Sequence, residues 1–150
     1  MRLSVSTPLA IVVDADDVTY LRAEDETGAF GILPGHADFL TALAVSVVSW
    51  RNHKGAEHHV AVRGGMLEVR GGKAIDVATQ EAVASDDLRH LETEVLATFR
   101  RGLEAERTAR TDAQRLYLAA IRQIYRFLRS DRDKALPSGP AAAQIEDIEP

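Results

Sequence analysis

Gly28-Ala29-Phe30-Gly31-Ile32-Leu33-Pro34-Gly35-His36-Ala37-Asp38-Phe39-Leu40-Thr41-Ala42-Leu43 lies between two strand-like runs and mixes three glycines and one proline with a row of apolar side chains. A flexible linker would not carry Phe, Ile, Leu and Phe, so the composition predicts a shaped, packed loop. Pro34 restricts φ and Gly35 is free to take a positive one, which predicts a tight turn there with His36 projecting from it.

Outward from this stretch, residues 3 to 82 alternate in short runs divided by turn residues. Leu3-Val5-Thr7, Ile11-Val12-Val13 and Val18 to Ala23 precede it, and Ala42 to Trp50, rich in β-branched residues, follows. Gly64-Gly65 separates His59-Val60-Ala61-Val62 from Met66-Leu67-Glu68-Val69 and reads as either a bulge or a bend. Gly71-Gly72 suits a two-residue hairpin turn. So many short strands in about 80 residues predict an antiparallel β-sandwich or barrel over residues 1–84.

At Ser85-Asp86-Asp87 the period changes from two to between three and four. Leu88, Leu91, Val95, Phe99 and Leu103 share one helical stripe, with the serine or an aspartate able to cap its start. Gly102 weakens that helix. Thr111-Asp112-Ala113-Gln114 fits a capping box, and Ala113, Leu116, Ala120, Ile124, Phe127 and Leu128 form a second stripe. The expectation is a two-helix antiparallel hairpin over 85–132, turning near residue 110. The remaining residues, 133–150, are rich in Pro and Ala, end acidic and are expected to be disordered.

Charge divides the chain in the same way. Residues 1–84 hold 7 Lys+Arg against 11 Asp+Glu, residues 85–134 hold 11 against 9, and residues 135–150 hold none against 3, which gives −4, +2 and −3 and the total of −5. Two modules with different partners are implied, and neither is basic enough for nucleic acid. Cysteine is absent, which excludes disulfides and thiolate chemistry. No apolar run is long enough to span a bilayer and no signal peptide is evident, so the expectation is a soluble cytoplasmic protein that meets membranes only through a partner.

Catalytic and cofactor motifs are not found. Gly71-Gly72-Lys73-Ala74 lacks the spacing and the hydroxyl of a phosphate loop, Gly28 and Gly31 do not complete a dinucleotide fingerprint, and there is no nucleophile elbow. His58 and His59 are adjacent on a strand and point to opposite faces. They cannot share an ion and are expected to be surface histidines, with no metal and no cofactor. The carboxylates at 14–17 and 24–26 read as solvated turns. The arginines of the helical part, Arg100, Arg101, Arg107, Arg110, Arg115, Arg122, Arg126 and Arg129, read either as a solvated face paired with Glu104 and Glu106 or as a surface for an acidic protein partner.

The stretch from Gly28 to Leu43, the later Val62-Arg63-Gly64-Gly65-Met66-Leu67-Glu68-Val69 and the terminal helical segment together resemble the epsilon subunit of bacterial F-type ATP synthases over residues 1 to about 130. The resemblance implies a ten-stranded β-sandwich followed by two helices, in a noncatalytic subunit at the foot of the rotating central stalk. It further implies peripheral placement on the cytoplasmic face of the bacterial plasma membrane. The implied partners are the gamma subunit and the ring of c subunits, met through Phe30, Ile32, Leu33, Pro34, Gly35, His36 and Asp38. The alpha/beta catalytic head would be met transiently by a movable hairpin bearing Arg100, Arg101, Arg107, Arg115, Arg122 and Arg126, which inhibits ATP hydrolysis when extended. Some members of that family bind ATP through Ile/Leu-Asp-x-x-Arg-Ala. Here the first helix carries Leu88-Arg89-His90-Leu91-Glu92, so ATP binding is not carried over. The competing reading is a small-ligand sensor built on a β-sandwich with a helical dimerisation arm.

Overall fold

A computed structural model describes residues 1–134, with side chains as far as Arg129. Eight strands lead into helix: β1 (Arg2–Ser6), β2 (Ile11–Ala15), β3 (Val18–Asp25), β4 (Gly28–Ile32), β5 (Phe39–Asn52), β6 (Glu57–Arg70), β7 (Ala74–Ala78) and β8 (Ala82–Ser85), then α1 (Leu88–His90), a π-helical turn (Leu91–Val95) and α2 (Leu96–Lys134). The expected class, a β-sandwich followed by a helical segment, holds. The strand number is refined, and one long helix stands where a two-helix hairpin was expected.

The long hairpin of β5 and β6 serves both layers. Residues 66–70 of β6 pair with β7 and residues 59–62 pair with β8. One layer therefore runs β2-β1-β7-β6-β5 and the other β8-β6-β5-β3-β4, bridged at the bend by Asp25 opposite Leu43. Counting β5 and β6 once in each layer makes ten strand segments from eight strands. The bend falls at Gly64 and Gly65, with φ of 68° and 115°. Because Leu43↔Gly65 and Val45↔Arg63 keep one register, this is a strand that bends and not a bulge. One pairing departs from the antiparallel expectation: β1 and β7 run parallel.

Inward-facing Leu3, Val5, Leu21, Ile32, Val48, Val60, Val62, Leu67, Val69, Ile75 and Val77 fill the space between the layers. Residue 61 points the other way by the two-residue period of a strand. Ala61 is nonetheless buried, because Leu91, Leu96 and Phe99 cover that outer face together with Val45, Val47 and Val95. The π-helical turn explains why Leu96 joins this cluster, although the expected stripe did not include it. Its wider loop, closed by Leu96 N–H donating to the Leu91 carbonyl, shifts the apolar stripe relative to a regular α-helix. At the helix start the Asp87 carboxylate accepts from the His90 amide at 3.1 Å, so Asp87 is the cap.

The antiparallel hairpin is corrected. Residues 96–134 are one uninterrupted helix without a turn near 110. The Thr111 hydroxyl, expected to cap a second helix, donates instead to the Arg107 carbonyl at 3.0 Å, one turn back, so the capping signal is spent inside the helix. The described residues form two compact units, Met1–Glu106 and the part from Arg107 onward. Of the expected disordered tail, residues 135–150 lie outside the described residues.

Gly102 sits where the Arg63 guanidinium reaches the helix. Arg63 is nearly buried and pairs with Glu106 at 2.6 Å and Glu81 at 3.5 Å. A Cβ at position 102 would lie 3.5 Å from that guanidinium, an ordinary contact. Gly102→Ala is therefore expected to stabilise the protein by up to about 1 kcal/mol through helix propensity. Urea unfolding followed by circular dichroism checks this, and a lower midpoint would mean that Arg63 needs the empty space.

Candidate partner-binding face

The stretch 28–43 resolves into a strand, a six-residue loop and the start of the next strand. Alternation in Ala29-Phe30-Gly31-Ile32 lets β4 pair with β3, and Ile32, fully buried opposite Leu21, anchors the end. Residues 33–38 then cross from the β3–β4 layer to the layer in which Phe39 pairs with Val69. Leu33-Pro34-Gly35-His36 makes the expected turn. The His36 amide donates to the Leu33 carbonyl at 3.1 Å, and Gly35 has φ 85°, the positive value a type II turn requires at its third residue.

This loop is seated on the β6–β7 turn. Gly71 and Gly72 both have positive φ, as the central residues of a type I′ turn do, and the Lys73 amide closes it on the Arg70 carbonyl at 3.2 Å; because Arg70 pairs with Ala74, the connection is three residues long, one more than the expected two-residue turn. The Gly35 amide donates to the Gly72 carbonyl at 2.9 Å, and the Asp38 carboxylate accepts from the Gly71 amide at 2.6 Å. Backbones approach so closely that a Cβ on Gly72 would lie 2.6 Å from the Gly35 Cα. Beneath the turn, His36 meets Phe39 edge-on with centroids 5.8 Å apart, and Phe39 meets Phe30 at 5.6 Å. The His36 Nδ1 lies 2.7 Å from the Ala37 carbonyl, which makes it the protonated nitrogen and holds the ring in place.

Of the seven residues expected to contact a partner, Leu33, Pro34, Gly35 and Asp38 are exposed, Phe30 and His36 are half-buried, and Ile32 is in the core. A rigid loop thus presents Leu33, 60% exposed, beside Pro34 and the His36 edge. It contains no paired acid and base, and no cluster of three or more metal-ligating side chains occurs among the described residues. Sequence reasoning missed that Gly71 and Gly72 hold the loop; the double glycine was visible only as a turn.

The other expected features are placed as follows. Arg100 and Arg101 lie on the first part of α2 and Arg107, Arg115, Arg122 and Arg126 further along it. Glu106 is engaged by Arg63, so the expected pairing of that acid with a helix arginine is displaced. His58 reaches Asp86 at 3.3 Å and lies against Trp50. His59 corrects the expectation of two surface histidines: it is 8% exposed and bonded to the Ser49 hydroxyl at 2.8 Å, because β8 and the helix start cover this side of β6.

Of the carboxylates at 24–26, Glu24 and Glu26 are exposed, whereas Asp25 proves to be structural. Asp25 accepts from the Thr27 hydroxyl at 2.6 Å, the Thr41 hydroxyl at 2.9 Å and the Thr27 amide at 2.8 Å. These bonds, those from the Thr27 side chain foremost, hold its carboxyl below the usual range. A depressed folded-state pKa contributes stability that is present above the ordinary carboxylate value and lost as pH falls through the folded one. Thr27→Ala is expected to move the Asp25 titration upward, observable by NMR of the carboxyl carbon. An unmoved titration would assign the shift to Thr41.

Residues 1–85 match the family described as ATP synthase, Delta/Epsilon chain, beta-sandwich domain. Among curated proteins, "ATP synthase epsilon chain 2" of Paraburkholderia xenovorans is 41% identical over 135 residues, covering 90% of this chain and 97% of the relative. "ATP synthase epsilon chain 2" of Cereibacter sphaeroides is 41% identical over 128 residues, covering 85% and 88%. Among solved structures, a chain of the Euglena gracilis mitochondrial ATP synthase OSCP/F1/c-ring assembly shares the fold with a TM-score of 0.54 at 21% identity, over 71% of this chain and 62% of that one.

Proposed function

The chain belongs to the epsilon-chain family of ATP synthases, and from that premise we propose that it is a noncatalytic rotor subunit of the central stalk, joining the gamma subunit to the c-ring and coupling ion transport to ATP synthesis and hydrolysis. The observation that carries the loop's part in this is its seating. Residues 33–38 are held by two hydrogen bonds on a glycine turn and present an apolar tip, as a surface for another subunit must if binding is not to pay for ordering it. Partnership with the rest of the enzyme also supplies membrane association on the cytoplasmic face, since no helix among the described residues is long and apolar enough to cross a bilayer.

Tagged chain is expected to co-purify with gamma and c subunits from native extracts. Recovery without any ATPase component would refute the assignment. His36→Ala is expected to weaken that recovery while leaving the sandwich folded, since the ring is half-buried, meets Phe39 edge-on and bonds to its own loop.

The helical segment from residue 85 is the regulatory arm of this reading, with Arg100, Arg101, Arg107, Arg115, Arg122 and Arg126 facing acidic segments of the catalytic head. Its start is not free to move at no cost. Burying Leu91, Leu96 and Phe99 is worth roughly 5 to 9 kcal/mol before ordering entropy. Displacement thus requires an alternative surface of similar worth. Deleting residues 86–150 is expected to raise ATP hydrolysis by the assembled enzyme several-fold, and unchanged hydrolysis would remove the inhibitory role.

A further inference from the structure

Arg115, Arg122, Arg126 and Arg129 recur at intervals of seven, four and three, which places them on one face of α2. All four are exposed. Arg115 has a distant pairing with Asp112 at 3.9 Å, whereas Arg122, Arg126 and Arg129 have no acidic partner among the described residues. The opposite arc carries Leu116, Tyr117, Ile124, Phe127 and Leu128, each more than half exposed. Where the two faces meet, Tyr125, Arg126, Leu128 and Arg129 line a concavity of about 540 Å³. Its walls are aromatic and aliphatic on one side and cationic on the other.

The chain carries a segment of matching chemistry. Ile145-Glu146-Asp147-Ile148-Glu149 combines two isoleucines with three acids, and residues 135–150 contain no other acid and no Lys or Arg. Between Lys134 and Glu146 lie eleven residues, including Pro137, Gly139 and Pro140, which are turn formers. That linker can span roughly 40 Å when extended. The way back along the helix to Arg122 is about 18 Å. We propose that the acidic segment 145–149 is the occupant of this arginine face, with its carboxylates on Arg122, Arg126 and Arg129 and an isoleucine in the concavity beside Tyr125. Tethering makes it a competitor present at high effective concentration. Any acidic surface that the arm meets must first displace it, so the segment sets a threshold for engagement. That consequence rests on the reading of the arm given above; the intramolecular contact does not.

The natural chain has no cysteine, so Gln144→Cys supplies a single site for a nitroxide label in the full chain. At low salt the label is expected to broaden amides at 122–129 at least twofold over those of β1 and β7. Neutralising the segment by E146Q, D147N and E149Q, or adding 0.5 M NaCl, is expected to remove that excess, as screened surface pairs require. Absence of broadening, or broadening indifferent to neutralisation, would overturn the proposal. So would equal broadening when labelled chains are mixed with isotopically marked unlabelled ones, which would identify the occupant as the tail of a second copy. Because only this chain is present, failure here leaves the stalk assignment standing.

Discussion

Replacing Gly65 by alanine is expected to cost the β-sandwich about 3–5 kcal/mol and to leave it largely unfolded at physiological temperature. Two effects add. The residue has φ 115°, a conformation L side chains rarely adopt, and the new Cβ would lie 2.1 Å from the Ala78 carbonyl oxygen and 3.0 Å from the Thr79 Cα. Those are backbone atoms of the β7 end, so no rotamer change relieves the clash. Either β7 leaves β6 or the bend that lets β6 serve both layers straightens, and both open the core lined by Leu67 and Val77. Gly28→Ala separates strain from clash, since Gly28 has φ 124° with nothing within 4 Å of its Cβ. Thermal unfolding of the two variants should therefore differ by the clash alone. Equal midpoints would show that the β7 end yields freely.

Gly72→Ala is expected to abolish recovery of the chain with gamma and c subunits while retaining a folded domain. Its Cβ would lie 2.6 Å from the Gly35 Cα and within 3.0 Å of the Gly35 carbon and nitrogen. The loop must lift off, which breaks the bonds from the Gly35 amide to the Gly72 carbonyl and from the Gly71 amide to Asp38. Gly71→Ala is the matched control: φ is 58° against 64°, so the left-handed strain of about 1–2 kcal/mol is shared, but its Cβ meets nothing. If loop shape determines assembly, the first variant loses its partners and the second keeps them. Loss in both would place the requirement in the turn itself, and retention in both would remove residues 33–38 from the interface.

Much of this architecture was legible because the period-two runs and the turn residues agree with each other. The turn at Pro34-Gly35 and the hairpin at Gly71-Gly72 stand where local backbone chemistry puts them, and Asp87 caps the helix as one of the candidates named. Residues 1–85 match the Delta/Epsilon-chain β-sandwich domain and the chain is 41% identical to epsilon chains, in agreement with the resemblance carried by Gly28 to Leu43. The site was legible only as exposed loop chemistry. That Ile32 is a buried anchor, or that His36 rests on Phe39, depends on where β5 places Phe39, which no local pattern states.

Where local signals could be satisfied in two ways, the tertiary structure chose. The capping box at Thr111 is a valid helix start, but the same hydroxyl is equally satisfied by a carbonyl one turn back, and propensity alone does not separate a second helix from a continued one. Gly64-Gly65 could bulge or bend, and the demand that β6 reach both β7 and β8 makes it bend. His59 looked like a surface residue because its burial comes from β8 and the helix start, more than 20 residues away in the chain. By itself, then, the sequence determined the strands, their turns and the start of the helix, since these follow from periodicity and backbone freedom within a few residues, while the family rests on the likeness of particular stretches such as Gly28 to Leu43. Only the tertiary structure decided which glycine holds which loop, which arginine is nearly buried and which acid it occupies, because those depend on long-range packing between segments that carry no mark of each other.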